Sequence, residues 1–110
     1  MKTIRAFPEV EAAAAAFAAL GSEQRLSVLR TLVRAGPAGL AMGELGERCG
    51  ITGSTLSFHV RILVQAGLAD QTREGRRILC AARMSALEDL GAFLTAGCCA
   101  DLATESRDHG

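Results

Sequence analysis

No stretch of this 110-residue sequence is apolar for the roughly 20 residues a bilayer-spanning helix needs. The alanine tract at 12–16 is too short and too weakly apolar to act as one. The opening MKTIRAFPEVE has two cations but meets acid and proline where a secretion signal needs its apolar core. The cytoplasm is therefore the expected compartment, with no membrane partner. The sequence also lacks a Cys-x-x-Cys motif, a phosphate-cradling glycine loop and any histidine beside its thiols. These absences argue against an enzyme, and no residue is assigned a catalytic role.

An excess of charge is missing too, since twelve Lys and Arg balance twelve Asp and Glu. The zero total hides a split. Residues 61–83 hold Arg61, Arg73, Arg76, Arg77 and Arg83 against Asp70 and Glu74, a net of +3. Residues 84–110 hold Glu88, Asp89, Asp101, Glu105 and Asp108 against Arg107, a net of −4. That asymmetry suits one basic working face and an acidic end.

At this length one domain is expected. Pro8, Glu9 and Glu11 open a first helix that runs through the alanines to Leu20 and stops at Gly21. Ser22 caps a second, whose apolar spacing is Leu26, Leu29, Leu32 and Val33, and Gly36-Pro37 ends it. Residues 38–41 read as a loop. A short helix over 42–49, Gly50, and a longer helix from 52–54 to Gly67 form a helix-turn-helix pattern. Strands are expected over 68–72 and 77–82, with Gly75 in the turn between them. Ser85 and Glu88 form a capping box for a last helix with a Leu87, Leu90, Leu94 stripe and a stop at Gly97. The expected fold is mainly helical with a small β-hairpin, a winged helix-turn-helix. It occupies 1–102, and 103–110 is expected to be a polar, flexible tail.

Steps of 100° along 54–66 separate two faces of the longer helix. Leu56, Val60, Leu63 and Ala66 gather on one; Ser54, Ser57, Phe58, Arg61 and Gln65 gather on the other, with Thr55 at its margin. Hydroxyls and arginine can bond phosphates or base edges, and Phe58 suits a thymine methyl. Arg73, Arg76 and Arg77 on the hairpin would add phosphate contacts beside the groove. His59 falls on the inner side, where a structural role is expected.

The stretches ALGSEQRLSVLRTL and ITGSTLSFHVRILVQAGLADQTREGRRILCAA resemble the ArsR–SmtB family of winged-helix metalloregulators. The matching residues are Ala19-Leu20-Gly21, Arg25-Leu26, Ser54, Ser57, His59-Val60, Leu63, Ala66-Gly67-Leu68 and Arg73-Glu74-Gly75-Arg76, within about residues 12–100. The resemblance implies a homodimer built from the first and last helices. It also implies a repressor on a near-palindromic, double-stranded operator, with reading helices about one DNA turn, roughly 34 Å, apart.

Family members hold inducers at several sites. A Cys-x-Cys before the reading helix is missing here, where 42–49 has only Cys49, itself read as a small hydrophobe. An Asp and His site on the last helix is missing as well, since 84–101 has no histidine and His109 sits in the tail. Cys98-Cys99 remain, with Cys80 in the second wing strand, where packing and ligation are equally open. Adjacent thiols on a regular helix diverge by about 100°, so they chelate together only if the helix loosens, which Gly97 would allow. Thiolates alone suit soft ions, and the Cys-Cys ending resembles arsenic-responsive members of the family. The expected inducer is trivalent arsenic, with no permanent cofactor. An inorganic centre has three exchangeable bonds for Cys80, Cys98 and Cys99; a monomethylated one has two, for the pair alone. The alternatives are a thiol-redox or persulfide-responsive repressor and, further off, a small dithiol enzyme or metalloid-scavenging protein.

Overall fold

The computed structural model describes residues 9–102; Pro8, the 103–110 tail and His109 lie outside them. Five helices and three strands follow in the order α1 (Val10–Ala19), α2 (Glu23–Ala35), β1 (Leu40–Ala41), α3 (Met42–Cys49), α4 (Gly53–Gln65), β2 (Ala69–Glu74), β3 (Arg77–Ala82) and α5 (Met84–Thr95). Apart from β1 this is the helical order and hairpin that the sequence predicts.

Local chemistry explains most boundaries. Ser22 caps α2, its hydroxyl accepting the Arg25 N–H at 3.2 Å. Gly50 closes α3 in the left-handed region, φ 70°. Ser85 does not cap α5, contrary to expectation. Arg83 holds the N-cap position, and its own N–H is bonded to the Leu68 carbonyl, so the chain passes from β3 into α5 with no room for a capping box.

The second correction is the loop at 38–41, which holds a strand. Leu40 pairs with Cys80 and Ala41 with Leu79, giving a three-stranded antiparallel sheet in the order β1-β3-β2. Gly39 makes this possible: its φ is 77°, and any Cβ there would run into the Cys80 carbonyl.

The core is aliphatic. Val28, Leu29 and Leu32 of α2 meet Leu45 of α3, Leu56, Val60 and Leu63 of α4, Leu68 just before β2, and Ala69 and Cys80 of the sheet. Each buried leucine contributes roughly 1.5–3 kcal/mol. Helix α2 sits at the centre, packed against α3, α4 and β3. Its buried stripe includes Val28 rather than Leu26, which is exposed. Helix α1 buries Ala13, Ala16 and Ala19 and packs against α5. Leu94, expected in the α5 stripe, is 66% exposed, as are Val10 of α1 (73%) and Leu102 (60%). The α1 and α5 end of the chain is thus left with apolar surface.

Candidate nucleic-acid interface and thiol pair

Helix α4 buries Leu56, His59, Val60 and Leu63. The other side of the same helix carries Ser54, Thr55, Ser57, Phe58, Arg61 and Gln65, all exposed. Phe58 stands half exposed on this side, edge-on to the His59 ring, with centroids 5.5 Å apart. Thr52 holds the N-cap in an extended conformation, but its hydroxyl makes no capping bond. The first N–H groups of α4 are therefore left for an outside acceptor. Beside this end, Met42, Gly43, Glu47, Ile51 and Leu56 line an open groove of roughly 320 Å³.

The hairpin carries the remaining cations. Glu74 pairs with Arg77 across a two-residue turn, Gly75-Arg76. Arg73, Arg76 and Arg77 are exposed at its tip. Among the described residues, Arg61, Arg73, Arg76 and Arg77 have no ion-pair partner, whereas Arg48 pairs with Glu44 and Arg83 with Asp70. The Asp70 carboxylate holds the Arg83 guanidinium above its ordinary range, through a hydrogen bond and charge attraction. Arg83 is therefore committed within the fold, and the wing-tip arginines are available to a polyanion.

The thiols separate into two environments. Helix α5 ends at Thr95, two residues before Gly97. Gly97 (φ 76°) and then Cys99 (φ 66°) turn into the left-handed region, Cys99 alone doing so among described non-glycine residues. A side chain there costs roughly 1–2 kcal/mol. The break brings the adjacent sulfurs to 3.1 Å, both exposed, instead of splaying them around a helix. Their shared hydrogen bond raises the Cys99 thiol above its usual range, with a smaller push from desolvation.

Cys80 is elsewhere. It is fully buried at the middle of β3, and its thiol donates to the Met42 sulfur at 3.1 Å. Burial pushes the pKa of this thiol up and so keeps it protonated, an effect only partly offset by a hydrogen bond from Gln71. A protonated, enclosed thiol is a poor ligand, so packing is the role that its surroundings favour. Among the described residues no three His, Cys, Asp or Glu side chains converge as a metal site. The expected Cys80, Cys98, Cys99 trio is therefore not assembled within a chain: one sulfur faces the core and two face solvent. Cys49 is half-buried and bonded to the Thr31 hydroxyl at 3.5 Å.

Two residues of functional interest had no signal in the sequence beyond the family pattern. Gln24 and Arg25 of α2 both reach His59 on α4. Their long-range pairing has no periodicity to reveal it.

Residues 20–72, from the end of α1 into the wing, match the family described as a helix-turn-helix domain. Over 60 residues the chain is 42% identical to the uncharacterized HTH-type transcriptional regulator YceK of Bacillus subtilis. The match covers 54% of this chain and 59% of that protein, less than two thirds of its length. An ArsR-like transcriptional regulator from Rhodococcus superposes with a TM-score of 0.72 at 25% identity, over 90% of this chain and 92% of the other. The transcriptional repressor BigR from Xylella fastidiosa superposes with a TM-score of 0.60 at 27% identity, over 77% and 85%. These proteins are transcriptional regulators, not enzymes. The fold is a winged helix-turn-helix. No helix among the described residues is long and apolar enough to cross a membrane.

Proposed function

We propose that this chain is a homodimeric repressor of the ArsR type that binds double-stranded operator DNA and is released by trivalent arsenic on Cys98 and Cys99. The DNA-binding part rests on α4. Its exposed side joins hydroxyls, an aromatic ring and Arg61, and the wing beside it offers arginines that form no ion pair among the described residues. Arg61 suits guanine or phosphate, the wing arginines suit phosphate, and Ser54 and Ser57 suit either backbone or base edge. The exposed apolar residues of α1 and α5 are the surface that a second copy would cover.

The observation that carries the inducer is the sulfur pair at 3.1 Å on a broken helix end. Each arsenic–sulfur bond forms as a thiol gives up its proton and an arsenic-bound hydroxide leaves as water. A monomethylated arsenic with two hydroxides is satisfied by these two thiols. Arsenite would keep its third hydroxide, since Cys80 is enclosed in the core. The monomethylated form is thus the better match. Binding would favour dimers whose two reading helices are wrongly spaced for the operator.

The test is release of fluorescent operator from the reduced protein. Methylarsenite should release it at lower concentration than arsenite, and Cys98→Ser and Cys99→Ser should each abolish the response. Release by oxidant or sulfane sulfur alone would replace this reading with a thiol-redox repressor.

A further inference from the structure

Three polar side chains join the reading helix to the helices that precede it. Arg25, in the first turn of α2, donates through Nε to the Ala19 carbonyl at 2.6 Å. Ala19 is the last residue of α1, where carbonyls lack helical partners. The same guanidinium reaches Nδ1 of His59 on α4, at 3.5 Å. On the far side of the ring, Nε2 lies 2.9 Å from Oε1 of Gln24. A guanidinium only donates, so Nδ1 accepts, and the ring proton on Nε2 is given to Gln24.

His59 is 6% exposed and flanked on α4 by the core residues Leu56, Val60 and Leu63. An apolar side chain would fill this space without any polar group to satisfy. A buried network, by contrast, holds only in the geometry that satisfies every member. Among the described residues no buried side-chain nitrogen or oxygen lacks a partner. Turning α4 about its axis would break both ring bonds. It would also carry Phe58, which meets the His59 ring edge-on, away from its place on the exposed side.

We propose that Arg25, Gln24 and His59 form a clamp that sets the rotation of the reading helix, and with it the angle at which Ser54, Ser57 and Arg61 meet DNA. These are positioning residues and touch no base or phosphate themselves. Through Ala19 the clamp also starts at the end of α1, the helix packed on α5. It therefore joins the end of α1 to the reading helix. The inference rests on the DNA-binding reading of α4.

The experiment uses the full chain and the duplex that it enriches from random DNA, with an unrelated duplex as reference. His59→Leu keeps apolar volume but removes both ring bonds; His59→Gln returns one donor and one acceptor. The ratio of specific to non-specific affinity should fall about tenfold or more in His59→Leu, the scale of losing one base-pair contact. It should recover in His59→Gln. Non-specific affinity and helical content should be unchanged. Nitrogen NMR should find the His59 proton on Nε2 in the parent chain. If His59→Leu does not fold, Arg25→Met carries the same test, since a thioether donates to neither Ala19 nor the ring. Full specificity in the folded variant, or a proton on Nδ1, overturns the clamp alone. Failure of the parent to enrich any duplex overturns the DNA-binding reading and the clamp with it.

Discussion

The two ends of the proposed mechanism are built in opposite ways. The face of α4 is regular: thirteen helical residues, a buried stripe, and outward side chains whose direction follows from spacing alone. The thiol pair depends on irregularity, a helix that stops at Thr95 and two left-handed residues, Gly97 and Cys99. A surface that must present one fixed pattern gains from regular backbone. A two-sulfur chelate gains from backbone that has left the helix, because a helix would hold adjacent sulfurs apart. The comparison predicts that the two regions can be damaged separately.

The largest separation should come from Ser57→Ala combined with Arg61→Ser. Operator affinity should fall about a hundredfold, as expected for removing two groups each worth roughly 1–3 kcal/mol of base or backbone contact. Methylarsenite binding, followed by calorimetry, should be unchanged. Unaltered DNA affinity would show that the outward face of α4 is not the reading face.

Cys80→Ser should act on neither end directly. A hydroxyl in place of the buried thiol should cost roughly 1–3 kcal/mol of stability, read as a lower urea midpoint. Arsenical affinity should stay within about twofold, far below the 1.4 kcal/mol that a tenfold change represents. A large loss of affinity in a folded variant would bring Cys80 into the site, from the same chain or a second one.

The smallest effect concerns protonation of the pair. Because the hydrogen bond with Cys98 raises Cys99, less of it is thiolate at pH 8 than in an ordinary cysteine. Thiolate is the reactive form, so Cys99 alkylation should be slow at pH 8 and accelerate as pH rises. Cys98→Ala removes the shared bond, lets Cys99 ionise more readily and should speed its alkylation at pH 8. Adduct mass spectrometry reads both rates, and no change on losing Cys98 would mean that the sulfurs do not interact in solution.

The same contrast explains what the sequence made legible. Helical spacing placed Leu56, Val60 and Leu63 inside and Phe58 outside, and it moved His59 inward against the pull of a motif. It had no means of finding β1, because two residues show no period and their pairing partner, β3, lies about forty positions later. Spacing also put Leu94 in one stripe with Leu87 and Leu90, without separating the part buried within one chain from the part that is exposed there, as Leu94 is. Nor could spacing decide between packing and ligation for Cys80. Which way Cys80 faces depends on the sheet packing against α2 and α3, not on its strand neighbours alone.

Strand β1 has a consequence for how DNA would be judged. It runs directly into α3 at Met42 while bonded to β3, the second strand of the wing. The hairpin is therefore joined to the helix-turn-helix by a backbone ladder as well as by side-chain packing, and it cannot tilt independently. In a complex of the proposed kind, arginines at the wing tip would meet phosphates at a fixed distance from the groove holding α4. Duplexes whose groove width differs from that distance would have to deform. Base pairs that no side chain touches would then influence affinity through their stiffness.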